Sequence, residues 1–259
     1  YDENFFANKK RAIDILRAID LPWEGEFRVS AITDDLAREI RDTHCMGICF
    51  GIESGNDRIL KLINKEQNVE DITKGIKIMS RYPEVRINGT IMLANPTETR
   101  EEIRNTIDLC LKLWKIHRRI TFSIGTFLPY PGVPLYDLVL DSGYVPPGDT
   151  EGWQIVNRGN KKMEITWLPW VTKKDRCNFQ YAGRYAQLLQ LGNLRIPLVN
   201  KVVYWRLSKF SFKAPIELWS LEWANKIFTD RTSWLSRIVR KAIPYIRYRE
   251  KLIKAGRNN

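Results

Sequence analysis

The sequence predicts an α/β fold built on a parallel sheet, and two observations carry that reading. Short apolar runs recur at Met46–Ile52, Arg86–Leu93 and Ile120–Leu128, interleaved with stretches whose apolar residues recur at helical spacing. Strands and amphipathic helices alternating at these lengths form right-handed βαβ units. Each apolar run also stops abruptly in small or polar residues, at Glu53-Ser54-Gly55, at Ala94-Asn95-Pro96 and at Pro129-Tyr130-Pro131-Gly132. Parallel strands end this way when they deliver functional groups to the carboxyl-end rim of an α/β barrel.

Residues 8–20 place Ala12, Ile13, Ile15, Leu16 and Ile19 on one face of a first helix. Gly25 to Ala31 alternates Phe27 and Val29 with Glu26, Arg28 and Ser30, which suits a strand. Thr33 then caps a helix running to about Thr43, with Asp34 and Asp35 at the positive end of its dipole. After the strand at Met46–Ile52, helices are expected over Asn56–Ile63 and Val69–Tyr82. Thr97 or Thr99 caps a long helix at 100–116, whose Ile103, Ile107, Leu111 and Trp114 share a face. Between Gly143 and Pro169 the pattern dissolves into Pro, Gly and Trp. Helices follow at Asp175–Gln190, Pro215–Phe228 and Ser233–Arg249, interrupted by prolines at 197, 215 and 244. The expected organisation is a partial barrel over 1–140, a covering segment over 141–174 and a basic helical extension over 175–259.

Composition limits the class of protein. The apolar and charged fractions, 44% and 28%, are ordinary for a folded chain. No apolar run reaches the ~18 residues of a membrane span. The charge is divided sharply. Residues 176–259 carry 17 Lys and Arg against 4 Asp and Glu, a balance of +13, whereas residues 1–175 carry 25 against 26. Four cysteines make neither a disulfide framework nor a secreted domain, so a cytoplasmic protein is expected. Cys45 and Cys49 form a C-x-x-x-C pair, but the position three further on is Ile52 and both fall in a strand region. Iron–sulfur ligation needs thiolates converging from a loop, so no metal ligand is expected in this chain.

Five blocks, in order, resemble the second half of the partial barrel of radical S-adenosylmethionine (SAM) enzymes, most of all the cobalamin-dependent group. They are Tyr1-Asp2-Glu3-Asn4-Phe5 at a strand end, Phe50-Gly51-Ile52-Glu53-Ser54-Gly55, Leu60-Lys61-Leu62-Ile63-Asn64-Lys65, Gly89 through Pro96 to Glu98-Thr99, and Phe127 to Tyr136 around Pro129-Tyr130-Pro131-Gly132. The resemblance implies SAM, a 4Fe–4S cluster with ligands outside this chain, and cobalamin in members that methylate. It implies an enzyme, incomplete in this chain, that cleaves SAM reductively for radical chemistry such as methylation. The cofactors supply the hard chemistry, and the protein supplies position and electrostatics. By the same resemblance Glu53 and Ser54 would meet the ribose or amino end of SAM. The backbone over Gly89, Thr90, Ile91 and Leu93 would pass the adenine, and Asp2 and Asn4 would reach the SAM amine or the substrate. Arg28 and Tyr130 are the candidates for a small-molecule or lipid-like substrate, Arg28 because a guanidinium pairs with carboxylates in bidentate fashion. No catalytic residue is assigned. Ala94 and Thr97 depart from the family pattern, which has glycine there, and glycine permits a positive φ or a close approach. The alternative reading is a cluster-less barrel serving as a binding or membrane-docking scaffold.

His44 and His117 fall near helix ends, where a cationic imidazole is favoured. The basic C-terminal third also carries Trp205, Trp219, Trp223 and Trp234. In residues 234–243 an apolar stripe of Trp234, Leu235, Ile238, Val239, Ala242 and Ile243 opposes Arg237, Arg240 and Lys241. That pattern fits a helix packed on the barrel with a solvated basic back. It also fits one lying on an anionic membrane surface, which would place the protein peripherally at the inner face of a membrane. Nucleic acid could use the same charge, but no nucleic-acid-binding motif is present.

Overall fold

A computed structural model of the chain describes residues 5–157, 168–191 and 197–220. It contains a four-stranded parallel sheet in sequential order, β1 (Trp23–Phe27), β2 (Cys45–Glu53), β3 (Arg86–Leu93) and β4 (Ile120–Thr126). A sheet whose strands never reverse order has the winding of a barrel rather than of a doubly wound sheet. The fold is therefore α/β, an open sheet consistent with part of a barrel. Around it run α1 (Lys9–Ile19), α2 (Asp34–Asp42), α3 (Asp57–Leu62), α4 (Val69–Met79), α5 (Arg100–Ile116), α6 (Tyr136–Asp141), α7 (Thr150–Asn157), α8 (Lys173–Leu191) and α9 (Pro197–Lys209).

Strand alternation gives the sheet two unlike faces. Ile48, Phe50 and Ile52 of β2, Ile87, Ile91 and Leu93 of β3, and Ile120 and Phe122 of β4 are all buried. They share their core with Leu36 and Ile40 of α2, Ile72 and Ile76 of α4, and Ile103, Ile107 and Leu111 of α5. The opposite face carries Glu26, Cys49, Gly51, Glu53, Asn88, Thr90, Thr121 and Ser123, part-exposed or exposed. Polar residues on this scale mark a surface that faces a chamber.

The helix starts follow their local chemistry. Thr33 accepts from the Leu36 N–H, and Asn68–Asp71 and Thr99–Glu102 form reciprocal capping boxes at α4 and α5. Three expectations need correction. The first strand begins earlier, at Trp23, and ends at Phe27, because residues 29–31 fold into a 3₁₀ turn that seats Val29 on α4. A Cβ on Gly75 of α4 would stand 2.6 Å from Val29 Cγ2, so the turn uses the space that glycine leaves. On α1 only Ala12, Ile13 and Leu16 are buried, and Ile19 faces solvent. Pro197, read as an interruption, begins α9. Proline suits a first helical position, where its missing N–H has no intrahelical partner anyway.

Contacts divide the chain into two compact units, Tyr1–Ser211 and Phe212–Asn259. The first unit includes α8 and α9, and α8 packs along β4. Residues 216–220 are helical in the second unit. The expected helix over 233–249 and its apolar stripe lie outside the described residues, as does most of the one over 215–228. Among the described residues no helix is long and apolar enough to cross a membrane.

Candidate functional site

The carboxyl end of β2 turns at Glu53, whose backbone is left-handed with φ 63°. Non-glycine residues are uncommon in that region, and the residues that follow Glu53 are fastened to α5. Ser54 is fully buried, its hydroxyl 3.3 Å from Thr106 Oγ1 and accepting from the Asn56 N–H. The Gly55 N–H donates to Thr106 Oγ1 at 2.9 Å, and Thr106 donates in turn to the Glu102 carbonyl. A Cβ on Gly55 would stand 2.7 Å from Thr106 Cα, so glycine lets the loop lie against the helix. The structure thus places Ser54 inside the protein as an anchor and leaves Glu53 at the rim.

Lys65, in the turn after α3, donates from Nζ to Glu53 Oε1 at 3.0 Å. Both atoms lie within 2.7 Å of where a Cβ of Gly51 would be, so the ion pair occupies space that Gly51 vacates. Gln67 donates to the Gly51 carbonyl at 2.7 Å and ties the same turn to β2. Lys65 also borders an open groove of about 390 Å³ with Asp57, Lys61 and Asn68.

On β3 the chamber side presents Asn88, Thr90 and Met92. Asn88 Oδ1 accepts from Thr121 at 3.2 Å and Ser123 at 3.1 Å, and its amide donates to Cys49 Sγ at 3.6 Å. Thr90 donates to the Phe50 carbonyl at 3.3 Å. Gly89, Ile91 and Leu93 belong to the opposite side. Ile91 and Leu93 are buried, and a Cβ on Gly89 would stand 2.6 Å from Ile52 Cδ1. They can offer a ligand only backbone, on a strand that already has neighbours on both edges. Arg28, just beyond β1, is ion-paired with Glu66. Tyr130, 37% exposed, stands in the loop after β4. Asp2 and Asn4 lie outside the described residues.

The turn between β3 and α5 was missed as a site. Ala94 and Thr97, the positions where the family pattern has glycine, have φ 62° and 63°. Glu98 folds back so that Oε2 accepts from the Asn95 N–H at 3.0 Å and its amide at 3.3 Å. Burial pushes the Glu98 carboxyl up to about 7. Its Oε1 and Asn95 Oδ1 are buried without a partner among the described residues. Nearby, hydrogen bonds from the Arg58 guanidinium hold Glu102 down at about 2, and Arg58 also grips the Thr97 carbonyl at 3.0 Å. Trp170, from the covering segment, donates to the Ala94 carbonyl at 3.1 Å. In the sequence this turn was marked by Ala94 and Thr97 at glycine positions of the family pattern and by the acid of the Glu98-Thr99 pair.

His117, near the end of α5 where a cationic imidazole would be favoured, is instead buried, and desolvation lowers its pKa. His44 pairs with Asp20 at 3.0 Å beside the amino end of β2, the end opposite the rim.

The cysteines do not fit an iron–sulfur cluster. Cys45 and Cys49 lie on β2, Cys110 is buried in α5 and Cys177 is exposed on α8. Burial pushes the Cys45 thiol up to about 12 and raises Cys49 and Cys110 too. Among the described residues no cluster of His, Cys, Asp and Glu could hold a metal ion.

Residues 3–110, a stretch that includes β1, β2 and β3 and reaches into α5, match the family model of the Radical SAM superfamily. An uncharacterized methyltransferase of Pyrococcus horikoshii is 33% identical over 144 residues, which cover 54% of this chain and 30% of that one. A tRNA-2-methylthio-N(6)-dimethylallyladenosine synthase of Acetivibrio thermocellus is 32% identical over 141 residues, 53% of this chain and 29% of that one. The chain thus spans under a third of the length of either relative. Among solved structures, the radical SAM methyltransferase TsrM from Kitasatospora setae, with cobalamin and a 4Fe–4S cluster bound, aligns at TM-score 0.46 and 16% identity. That alignment covers 56% of this chain and 30% of TsrM.

Proposed function

We propose that the rim at Glu53 is half of a SAM site and that the whole protein is a radical SAM enzyme of the methyl-transferring kind. The observation that carries this reading is the Glu53–Lys65 pair, held over Gly51 at the carboxyl end of a strand inside the segment that matches the superfamily. SAM is a zwitterion with a ribose, and such a ligand needs an acceptor for its ammonium or hydroxyls and a cation for its carboxylate. Glu53 and Lys65 supply both within one hydrogen bond of each other. They hold one another in place at a half-buried position, so each is oriented before a ligand arrives.

Glu53 would accept from the ammonium or the ribose hydroxyls, and Lys65 would swing onto the carboxylate. Thr90 stands beside them, and the carboxyl end of β3 would run past the adenine. Asp2 and Asn4 complete the amine end in this reading, and Arg28, released from Glu66, and Tyr130 face the substrate. Bound SAM supplies a 5′-deoxyadenosyl radical or a methyl group. The described residues do not fit the cluster, whose ligands this reading puts outside the chain. The names of the two relatives support methylation or methylthiolation, and cobalamin belongs to the methylating variant of the reading.

The coding sequence upstream of Tyr1 tests the cluster directly. A C-x-x-x-C-x-x-C in a loop after a strand is expected there, and its absence would end the radical SAM reading. For the ligand, the test is equilibrium binding of labelled SAM to the full-length protein after anaerobic iron–sulfur reconstitution. Glu53→Gln should weaken binding about tenfold, one charge-assisted hydrogen bond. Unchanged affinity would remove Glu53 from the site.

A further inference from the structure

α9 and the second half of α5 build a cationic face away from the sheet's chamber. Along α9, Lys201, Trp205, Ser208 and Lys209 are exposed while Val203 and Leu207 are buried. Residues spaced i, i+4, i+7 and i+8 form one stripe. On α5, Lys112 and Lys115 are exposed and continue to Arg118 just past the helix end. Lys115 Nζ lies 4.8 Å over the ring of Tyr204, so the two stripes adjoin. The Arg118 guanidinium lies 4.1 Å over Trp114, which fixes its position at the edge of the face.

Few acids share this face. α9 contains no acid, and the last acid of α5 is Asp108, a turn before Lys112. Lys112, Lys115, Arg118, Lys201 and Lys209 form no ion pair with any described acid. A face of this kind attracts a polyanion, and the apolar groups decide which one. Trp205 is 51% exposed with Lys201 and Lys209 one turn to either side. Indoles settle at the boundary between headgroup and acyl chain, and flanking lysines reach back to the phosphates.

We propose that the α5–α9 face docks this protein on an anionic phospholipid surface. The contact is with the surface, since no described helix can span a bilayer. The inference does not depend on the SAM site.

The test is sedimentation of the full chain with vesicles of mixed phosphatidylglycerol and phosphatidylcholine, against phosphatidylcholine alone. Binding to the mixed vesicles that weakens as salt rises is expected. Lys201→Gln together with Lys209→Gln should lower the partition coefficient about 25-fold, at roughly fivefold per lysine. Trp205→Ser should weaken binding while leaving its salt dependence intact. Both lysines and Trp205 are exposed, so an unchanged thermal midpoint and circular dichroism spectrum confirm that the variants fold. Equal binding to neutral vesicles overturns the proposal. So does undiminished binding by the double-lysine variant, which would assign the interaction to residues beyond this face. Salt-sensitive retention on RNA, lost in that variant while vesicles go unbound, would make the face a nucleic-acid site instead.

Discussion

Lys65 Nζ and Glu53 Oε1 meet 3.0 Å apart over the bare Cα of Gly51, so a glycine within the strand determines whether the ion pair can form. A methyl group there would lie 2.6 Å from Lys65 Nζ and 2.7 Å from Glu53 Oε1. Gly51→Ala should push the ammonium away. The far end of a lysine moves easily, so stability should change by no more than about 0.5 kcal/mol. SAM affinity should nevertheless fall several-fold, read by equilibrium binding beside an unfolding curve. A variant that binds normally would separate the pair from the ligand.

Thr106 is the peg on which the rim hangs. Its hydroxyl accepts from the Gly55 N–H and contacts Ser54, and Thr106 and Ser54 are both fully buried. Thr106→Val keeps the shape and removes the oxygen, leaving that N–H without a partner and the Ser54 hydroxyl with only the bonds it accepts from Asn56. The expected cost is about 2–3 kcal/mol in urea unfolding, with Thr106→Ser recovering most of it. A cost below about 0.5 kcal/mol would show that the loop is held elsewhere.

Helix starts and strand cores were legible in the sequence because their causes are local. The Thr99-x-x-Glu102 box and the spacing of Ile103, Ile107, Leu111 and Trp114 define α5 without reference to anything else. The roles within Glu53-Ser54-Gly55 were not legible. The bulge that turns Glu53 outward and Ser54 inward depends on Thr106, 52 residues further on. The first strand was misjudged at its end for a similar reason, since Val29 turns to meet Gly75 of a helix not yet formed in sequence order. α9 was hidden by Pro197, because proline reads as a stop until its place at a helix start is known.

Ala94 sits at φ 62° with a side chain that makes the left-handed region costly, at a position where glycine would be at ease. Its carbonyl, not its methyl, makes the useful contact, with Trp170. Ala94→Gly should stabilise the protein by about 0.5–1 kcal/mol, the relief of strain less the extra freedom of the unfolded glycine. Thr97→Gly relieves a similar strain but removes the hydroxyl that accepts from Arg58 at 3.2 Å, so its gain should be smaller. Thermal or urea unfolding of both variants decides, and a loss of stability in Ala94→Gly would contradict the strain argument.

Glu98 and Glu102 should give the protein opposite responses to pH on one helix turn. Burial lifts Glu98 from 4.5 to about 7, so between those values the folded state binds more protons than the unfolded. Its contribution to stability therefore falls as pH rises from about 4.5 to 7 and is level above that. Glu102, held at about 2 by hydrogen bonds from Arg58, contributes stability above 4.5 that is lost as pH falls toward 2. Above pH 7 Glu98 is a buried carboxylate with Oε1 unpartnered, whereas below 5 the same oxygen can carry the proton and donate. Glu98→Gln stays neutral throughout and should exceed the parent at pH 8 by about 2 kcal/mol while matching it near pH 5. Arg58→Ala should leave that window alone and lessen the loss of stability below pH 4.5. Urea midpoints of the three proteins across pH 3 to 8 separate the two acids. A Glu98→Gln profile parallel to the parent's would place the raised titration on another group.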